Sequence, residues 1–154
     1  MKIEFIEPED LRYRIESNDQ NFHIIDLRDY DYSVGYIRTP TEEQYHHITT
    51  EEFTTEVVKQ LISENVLSSN SRVDFIFHCF YSQQRGPTAA MKMSNILKNL
   101  DDSNSDVESR IGVKVLRGGW GLWNTRFYND EKVIVKLPDS EEEESTSDED
   151  DDEY

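Results

Sequence analysis

Hydrophobic and polar positions change period several times along the chain, and the changes mark out alternating strands and helices. Ile3 to Ile6 reads as a short strand, and Pro8 then opens a helix through Ile15, with Leu11 and Ile15 one turn apart. Phe22 to Leu27 (FHIIDL) is a compact apolar run that stops in the charged turn RDYDY, the pattern of a buried parallel strand delivering its C-terminal end to a surface. Thr49 and Thr50, followed by acidic residues and the series Phe53, Val57, Val58, Leu61 and Ile62, predict a capped amphipathic helix ending near Asn65. A loop rich in Ser and Asn, Leu67 to Arg72, leads into Val73 to His78 (VDFIFH), a clear strand signal. After CFYSQQ, helical spacing returns at Ala89, Met93, Ile96, Leu97 and Leu100; Pro87 suits the first turn because its missing N–H needs no partner there. A polar loop, Asp101 to Ser109, precedes a fourth strand near Val113 to Leu116, then Gly118-Gly119 and an aromatic helix holding Trp120, Trp123 and Phe127. Strands alternating with helices imply an α/β domain built on a mainly parallel sheet.

Composition sharpens this picture. The 154 residues suit one domain at the usual ~100 to 200 residues per domain, and 35% hydrophobic content is enough for one core. The formal charge of −17 is unevenly spread: Asp139 to Tyr154 holds 11 of the 33 acidic side chains and none of the 16 basic ones. Residues 1–138 therefore carry 22 acids against 16 bases, a net of −6, and form the folded domain; residues 139–154 are expected to be a disordered acidic tail, since they have no apolar periodicity to offset ordering entropy. Ser140, Ser145, Thr146 and Ser147 stand among those acids, a context suited to an acidophilic kinase. Clustered Lys and Arg are absent, which disfavours nucleic acid and anionic membrane surfaces as partners. Apolar runs stay far below the ~20 residues of a membrane span, and the acidic, Pro-broken N-terminus does not read as a signal peptide, so cytosol or nucleus is the expected compartment. The single cysteine, Cys79, excludes an intramolecular disulfide or a multi-cysteine zinc site and fits a reducing environment.

A lone thiol is either core filler or chemistry, and its neighbourhood bears on which. Cys79 follows a buried strand directly, and Arg85 stands six positions on, at the start of a helix. Backbone N–H groups in a tight loop before a helix N-terminus lack intrahelical partners, and the helix dipole adds about half a positive charge there. Such a loop is an anion cradle, and the same field stabilises the thiolate, the form that attacks. A guanidinium from Arg85 could grip two oxygens of a tetrahedral anion as a fork, which a lysine cannot reproduce.

The segment HCFYSQQRGPTAA resembles the active-site signature of the rhodanese-superfamily phosphatases of the cell-division-cycle dual-specificity type, and of the small fungal phosphatases and arsenate reductases related to them. IIDLRDYDYSVGYI is similar to the superfamily's strand-end Asp-x-Arg and following Gly-x-Ile segment, and VLRGGWGLW to its Gly-Gly-aromatic-x-x-Trp motif. The three segments occur in order between about Phe22 and Phe127. The resemblance implies a rhodanese-like three-layer domain, with a mainly parallel central sheet flanked by helices. It makes Cys79 the nucleophile, Arg85 the anion clamp and Ser82 a hydroxyl bonded to the thiolate, unless Ser82 is a turn residue serving local backbone. Backbone amides of Phe80, Tyr81, Ser82, Gln83, Gln84 and Arg85 would line the phosphate cradle. Asp26 and Arg28 fit the strand-end pair and are expected to buttress each other and the loop; His78 is read as a satisfied strand histidine shaping the loop rather than a base.

Five residues between Cys79 and Arg85 make a wider cradle than the loop of the sulfurtransferases of this fold, which favours phosphate or arsenate over a sulfane sulfur. Phe80 and Gln84 stand where larger phosphatases of this type carry glutamates, so a loop carboxylate able to protonate the leaving group is missing. Tyr36 replaces the usual His of the Gly-His-Ile segment, and Thr39-Pro40 breaks its continuation. The expected activity is phosphomonoester hydrolysis through a phospho-cysteine, without metal or cofactor, on a phosphorylated protein or small oxyanion. Arsenate reduction, with glutathione as co-substrate and glutaredoxin downstream, uses the same cradle. A binding module with little turnover is disfavoured by the presence of both Cys79 and Arg85.

Overall fold

The computed structural model of the chain describes residues 3–68, 70–99 and 105–138. The elements run β1 (Ile3–Ile6), α1 (Pro8–Glu16), β2 (Phe22–Asp26), β3 (Gly35–Ile37), a 3-10 turn (Glu42–Gln44), β4 (Tyr45–His47), α2 (Thr55–Asn65), β5 (Val73–His78), α3 (Arg85–Lys98), α4 (Ser105–Ser109), β6 (Ile111–Leu116), α5 (Gly119–Arg126) and β7 (Ile134–Lys136). The central sheet has five strands in the order β1-β6-β5-β2-β4, every pairing parallel. A small antiparallel pair, β3 and β7, stands apart from it.

Strand periodicity explains the layers. Side chains alternate across a strand, so Phe75 and Phe77 of β5 face one side, with Val58 and Leu61 of α2 and Ala90 and Met93 of α3. Ile76 faces the other, with Leu11 of α1, Trp120 and Trp123 of α5 and Ile134 of β7. β2 is buried along its whole length, as a strand covered on both faces must be. The result is helices, sheet, helices.

Local chemistry sets the element ends. Pro8 takes the first position of α1. The second helix starts later than the Thr49-Thr50 pair suggests: Thr54 is its cap, accepting from Val57 N–H, and the backbone N–H of Thr49 instead donates to the Glu52 side chain. Phe53 therefore enters the core from just ahead of the helix, at 1% exposure. The expected loop Asp101 to Ser109 contains a helical turn, Ser105–Ser109, and the fourth strand begins at Ile111 rather than Val113. Leu100, residues 101–104 and the expected tail at 139–154 lie outside the described residues. Strands β3, β4 and β7, three residues each, are additions to the expected elements.

The register of the two central strands positions the cysteine loop. β2 and β5 are neighbours, with Asp26 opposite His78. The segments that leave their C-terminal ends, after Asp26 and after His78, therefore emerge side by side, at the sheet edge where ligands of open α/β sheets bind.

Candidate active site

Cys79 follows the last residue of β5 and is 3% exposed, packed within the core cluster. Its sulfur accepts a hydrogen bond from the backbone N–H of Gly86, in the first turn of α3, at 3.4 Å. A side chain at Gly86 would bring its Cβ within 3.3 Å of the His78 Cα, so glycine is what lets the helix start this close to the strand end. A second helix start closes on the same loop. The Trp120 N–H donates to the Cys79 carbonyl at 3.0 Å, and the Gly121 N–H to the Phe80 carbonyl at 2.8 Å. That approach requires Gly119, which has φ 58° and whose Cβ would stand 2.4 Å from the Cys79 oxygen.

With two of its carbonyls tied to α5, the loop keeps its amides free. Among the described residues, none accepts a hydrogen bond from the backbone N–H groups of Phe80 through Arg85. These are the amides expected to form the cradle, and Ser82, at φ 59°, turns the chain between them. The expected bond from the Ser82 hydroxyl to the sulfur is not formed. The hydroxyl is buried and has no partner, and the sulfur takes its hydrogen bond from Gly86, a residue outside the expected set. The left-handed backbone at Ser82, uncommon for a residue other than glycine, is what the sequence did not reveal.

Arg85 reaches from the first residue of α3 to the loop after β2. Its Nη2 donates to Asp31 Oδ2 at 2.6 Å and its Nη1 to Asp31 Oδ1 at 3.0 Å, with a longer contact to Asp29 at 3.4 Å. The guanidinium also stands 5.8 Å from the ring of Tyr30. Asp31 raises the Arg85 pKa further above its ordinary value, and Arg85 in turn holds the Asp31 carboxyl below the usual range. Asp31 is not among the expected site residues. The charged turn RDYDY is visible in the sequence, but its place beside Arg85 follows only from the pairing of β2 with β5.

Asp26 and Arg28 form a second guanidinium–carboxylate pair at the end of β2, with Nε to Oδ1 at 3.0 Å and Nη2 to Oδ2 at 2.7 Å, both side chains fully buried. The Tyr45 hydroxyl donates to Asp26 at 2.7 Å, and Arg28 also donates to the Gly35 carbonyl at 2.9 Å. Burial opposes the Asp26 charge, but His78, Arg28 and Tyr45 together outweigh it and hold the carboxyl at about 2. Burial pushes His78 below its ordinary value, so the ring is neutral near pH 7 and Arg28 carries the pairing. The His78 Nδ1 meets the Cys79 carbonyl at 3.1 Å, while its Nε2 lies 3.8 Å from Asp26 without a hydrogen bond. The three side chains are fully buried, and their polar contacts run to one another, to Tyr45 and to the Ser33, Gly35 and Cys79 carbonyls.

A groove of about 1100 Å³ lies elsewhere, between α2, α3 and α4, lined by Lys59, Ile62, Met91 and Ile96 among others, and the cysteine loop takes no part in it. Among the described residues, no three His, Cys, Asp or Glu side chains gather where they could hold a metal ion. No described helix is long and apolar enough to cross a membrane.

No family model matches the chain. Individual proteins do. The chain is 34% identical over 119 residues to the CDC25-like phosphatase YCH1 of Saccharomyces cerevisiae, covering 77% of this chain and 76% of that protein. It is 30% identical over 125 residues to Arsenical-resistance protein 2 of the same yeast, covering 80% and 89%. Among solved structures, Ygr203w, described as a yeast protein tyrosine phosphatase of the rhodanese family, superposes with a TM-score of 0.72 at 28% identity, over 91% of this chain and 97% of that one. With the parallel five-stranded sheet between helix layers and the Cys79 loop at its edge, these likenesses place the chain in the rhodanese family, with the CDC25-like phosphatases.

Proposed function

We propose that the chain hydrolyses phosphomonoesters by covalent catalysis at Cys79, with aryl phosphates such as phosphotyrosine as the favoured substrates. The observation that carries this reading is the run of unpartnered amides from Phe80 to Arg85 in the loop that follows Cys79, whose sulfur itself receives the Gly86 N–H. Donors fixed in advance around a developing anion cost no reorganisation during reaction, and removing one such donor typically costs about 10² to 10³ in rate.

Hydrolysis takes two displacements. The Cys79 thiolate attacks phosphorus in line with the ester oxygen; the S–P bond forms as the P–O bond breaks, and the aryl oxide departs. Arg85 and the loop amides hold the equatorial oxygens throughout. Water then attacks the phospho-cysteine, releasing inorganic phosphate and returning the thiolate. Phe80 and Gln84 supply no proton to the leaving group, so poor leaving groups such as alkyl oxides should turn over far more slowly. No cofactor is required, and the free thiol suits the cytosol or nucleus.

Arsenate reduction is the second reading, supported by the likeness to Arsenical-resistance protein 2. In it the Cys79–arsenate adduct passes to glutathione and then glutaredoxin, which supply the electrons. Parallel assays of the purified full chain decide between them. Hydrolysis of para-nitrophenyl phosphate, lost at least ~10³-fold in Cys79→Ser, is the expected result. Glutathione-dependent arsenite release without phosphate ester hydrolysis would replace the first reading with the second.

A further inference from the structure

We propose that Asp31 is a built-in competitor at the anion site, its carboxylate occupying the forked face of Arg85 until an oxyanion displaces it. The inference rests on the proposed phosphatase site and assigns that site a residue which sets its affinity.

Both terminal nitrogens of Arg85 are engaged, Nη1 and Nη2 each facing one Asp31 oxygen. This is the two-point geometry by which arginine also recognises phosphate, so a tetrahedral oxyanion and Asp31 ask for the same face. The charge is engaged as well: Asp31 neutralises the guanidinium, and Asp29 adds a second carboxylate at 3.4 Å. A dianion entering the cradle therefore meets net repulsion from this loop until Asp31 withdraws. Withdrawal is easy to accommodate. The pair is partly solvent-exposed, at 26% for Arg85 and 17% for Asp31, so water can take over the carboxylate as it leaves. The flanking residues Asp29, Tyr30, Ser33 and Val34 are exposed, leaving little core packing to break. Val34, a β-branched residue at φ 74°, stores backbone strain at the far end of the same loop. Asp31 acts through Arg85, so it is a positioning residue that lowers the fraction of protein ready to bind.

The test is calorimetric titration of the full chain with inorganic phosphate, which needs no turnover, on wild type, Asp31→Asn, Asp31→Glu and Asp29→Asn. Asp31→Asn should bind phosphate about 3- to 10-fold more tightly, the size expected for removing a partly exposed pair and its repulsion. Its KM for para-nitrophenyl phosphate should fall by the same factor with kcat within about twofold. Asp31→Glu keeps the competing carboxylate and should stay near wild type, and Asp29→Asn should shift affinity in the same direction by less. Phosphate binding that is unchanged or weaker in Asp31→Asn overturns the proposal while leaving the phosphatase reading intact. Failure of every form, wild type included, to bind phosphate would overturn both.

Discussion

Two guanidinium–carboxylate pairs draw their acids from the end of β2 and the turn after it, and they differ mainly in water. Asp26–Arg28 is fully buried, tied further to Tyr45 and Gly35, with the Tyr32 and Trp120 rings each 4.7 Å from the guanidinium. Asp31–Arg85 has the shorter contact, 2.6 Å against 2.7 Å, yet lies partly in solvent. Distance does not rank them. In the interior neither partner can be left alone, because the survivor would be an uncompensated buried charge, so the pair should stay closed. At the rim water can solvate either group, so the pair is exchangeable and can serve in binding.

The largest expected effect comes from breaking the inner pair. Asp26→Ala strands Arg28 and should lower stability by about 3 to 5 kcal/mol in urea denaturation; a loss below about 1 kcal/mol would mean water reaches Arg28 and the contrast is false. Acid titration separates two buried groups next. His23, stacked on Phe75 and 3.0 Å from His46, is kept neutral by burial, which lowers its pKa from 6.5 to about 4. The unfolded chain thus binds the proton first: the stability from neutral His23 is whole above about pH 6.5 and is lost as pH falls through about 4, worth about 3 kcal/mol. The Asp26 contribution is whole above about pH 4 and disappears only as pH falls through about 2. Stability measured from pH 7 downward should therefore begin to fall near 6.5, and His23→Phe should make that first limb shallower, leaving the share of His46 and His78, which burial also holds below their ordinary values, and the limb below pH 4. The smallest effect belongs to the outer pair. Asp31→Ala should change unfolding free energy by less than about 1 kcal/mol, although it alters phosphate affinity.

The parts of this molecule that are legible in its sequence are those whose physics is local. The run VDFIFH, the cysteine, the interval to Arg85 and the helix after Pro87 are contiguous, so strand, loop, helix and nucleophile can be read together. The α/β class comes from the same alternation, and the rhodanese family from three short motifs. What the sequence hides depends on juxtaposition. Strands of three residues, such as Tyr45–His47, are too short to show a period and exist because a neighbour such as β2 offers an edge. The Tyr45 hydroxyl on Asp26, the Trp120 amide on the Cys79 carbonyl and the Asp31 carboxylate on Arg85 each join residues at least 19 positions apart. Ser82 departs from expectation for another reason: a hydroxyl in the right place along the chain says nothing of its direction once the backbone turns left-handed. Thr54 displaces Thr49 and Thr50 as the cap because several threonines precede one helix and only geometry selects among them.

If the Cys79 sulfur takes the phosphoryl group, the adduct has one thiol to occupy, because this is the chain's single cysteine. Rapid acid quench of the enzyme during turnover of para-nitrophenyl phosphate, with mass spectrometry of the quenched protein, reads it directly. The expected species is heavier by one phosphoryl group, located on the Cys79 peptide and missing from Cys79→Ser. Hydrolysis that proceeds with the thiol unmodified at every time point, or with the phosphoryl group on a histidine, would contradict covalent catalysis at Cys79.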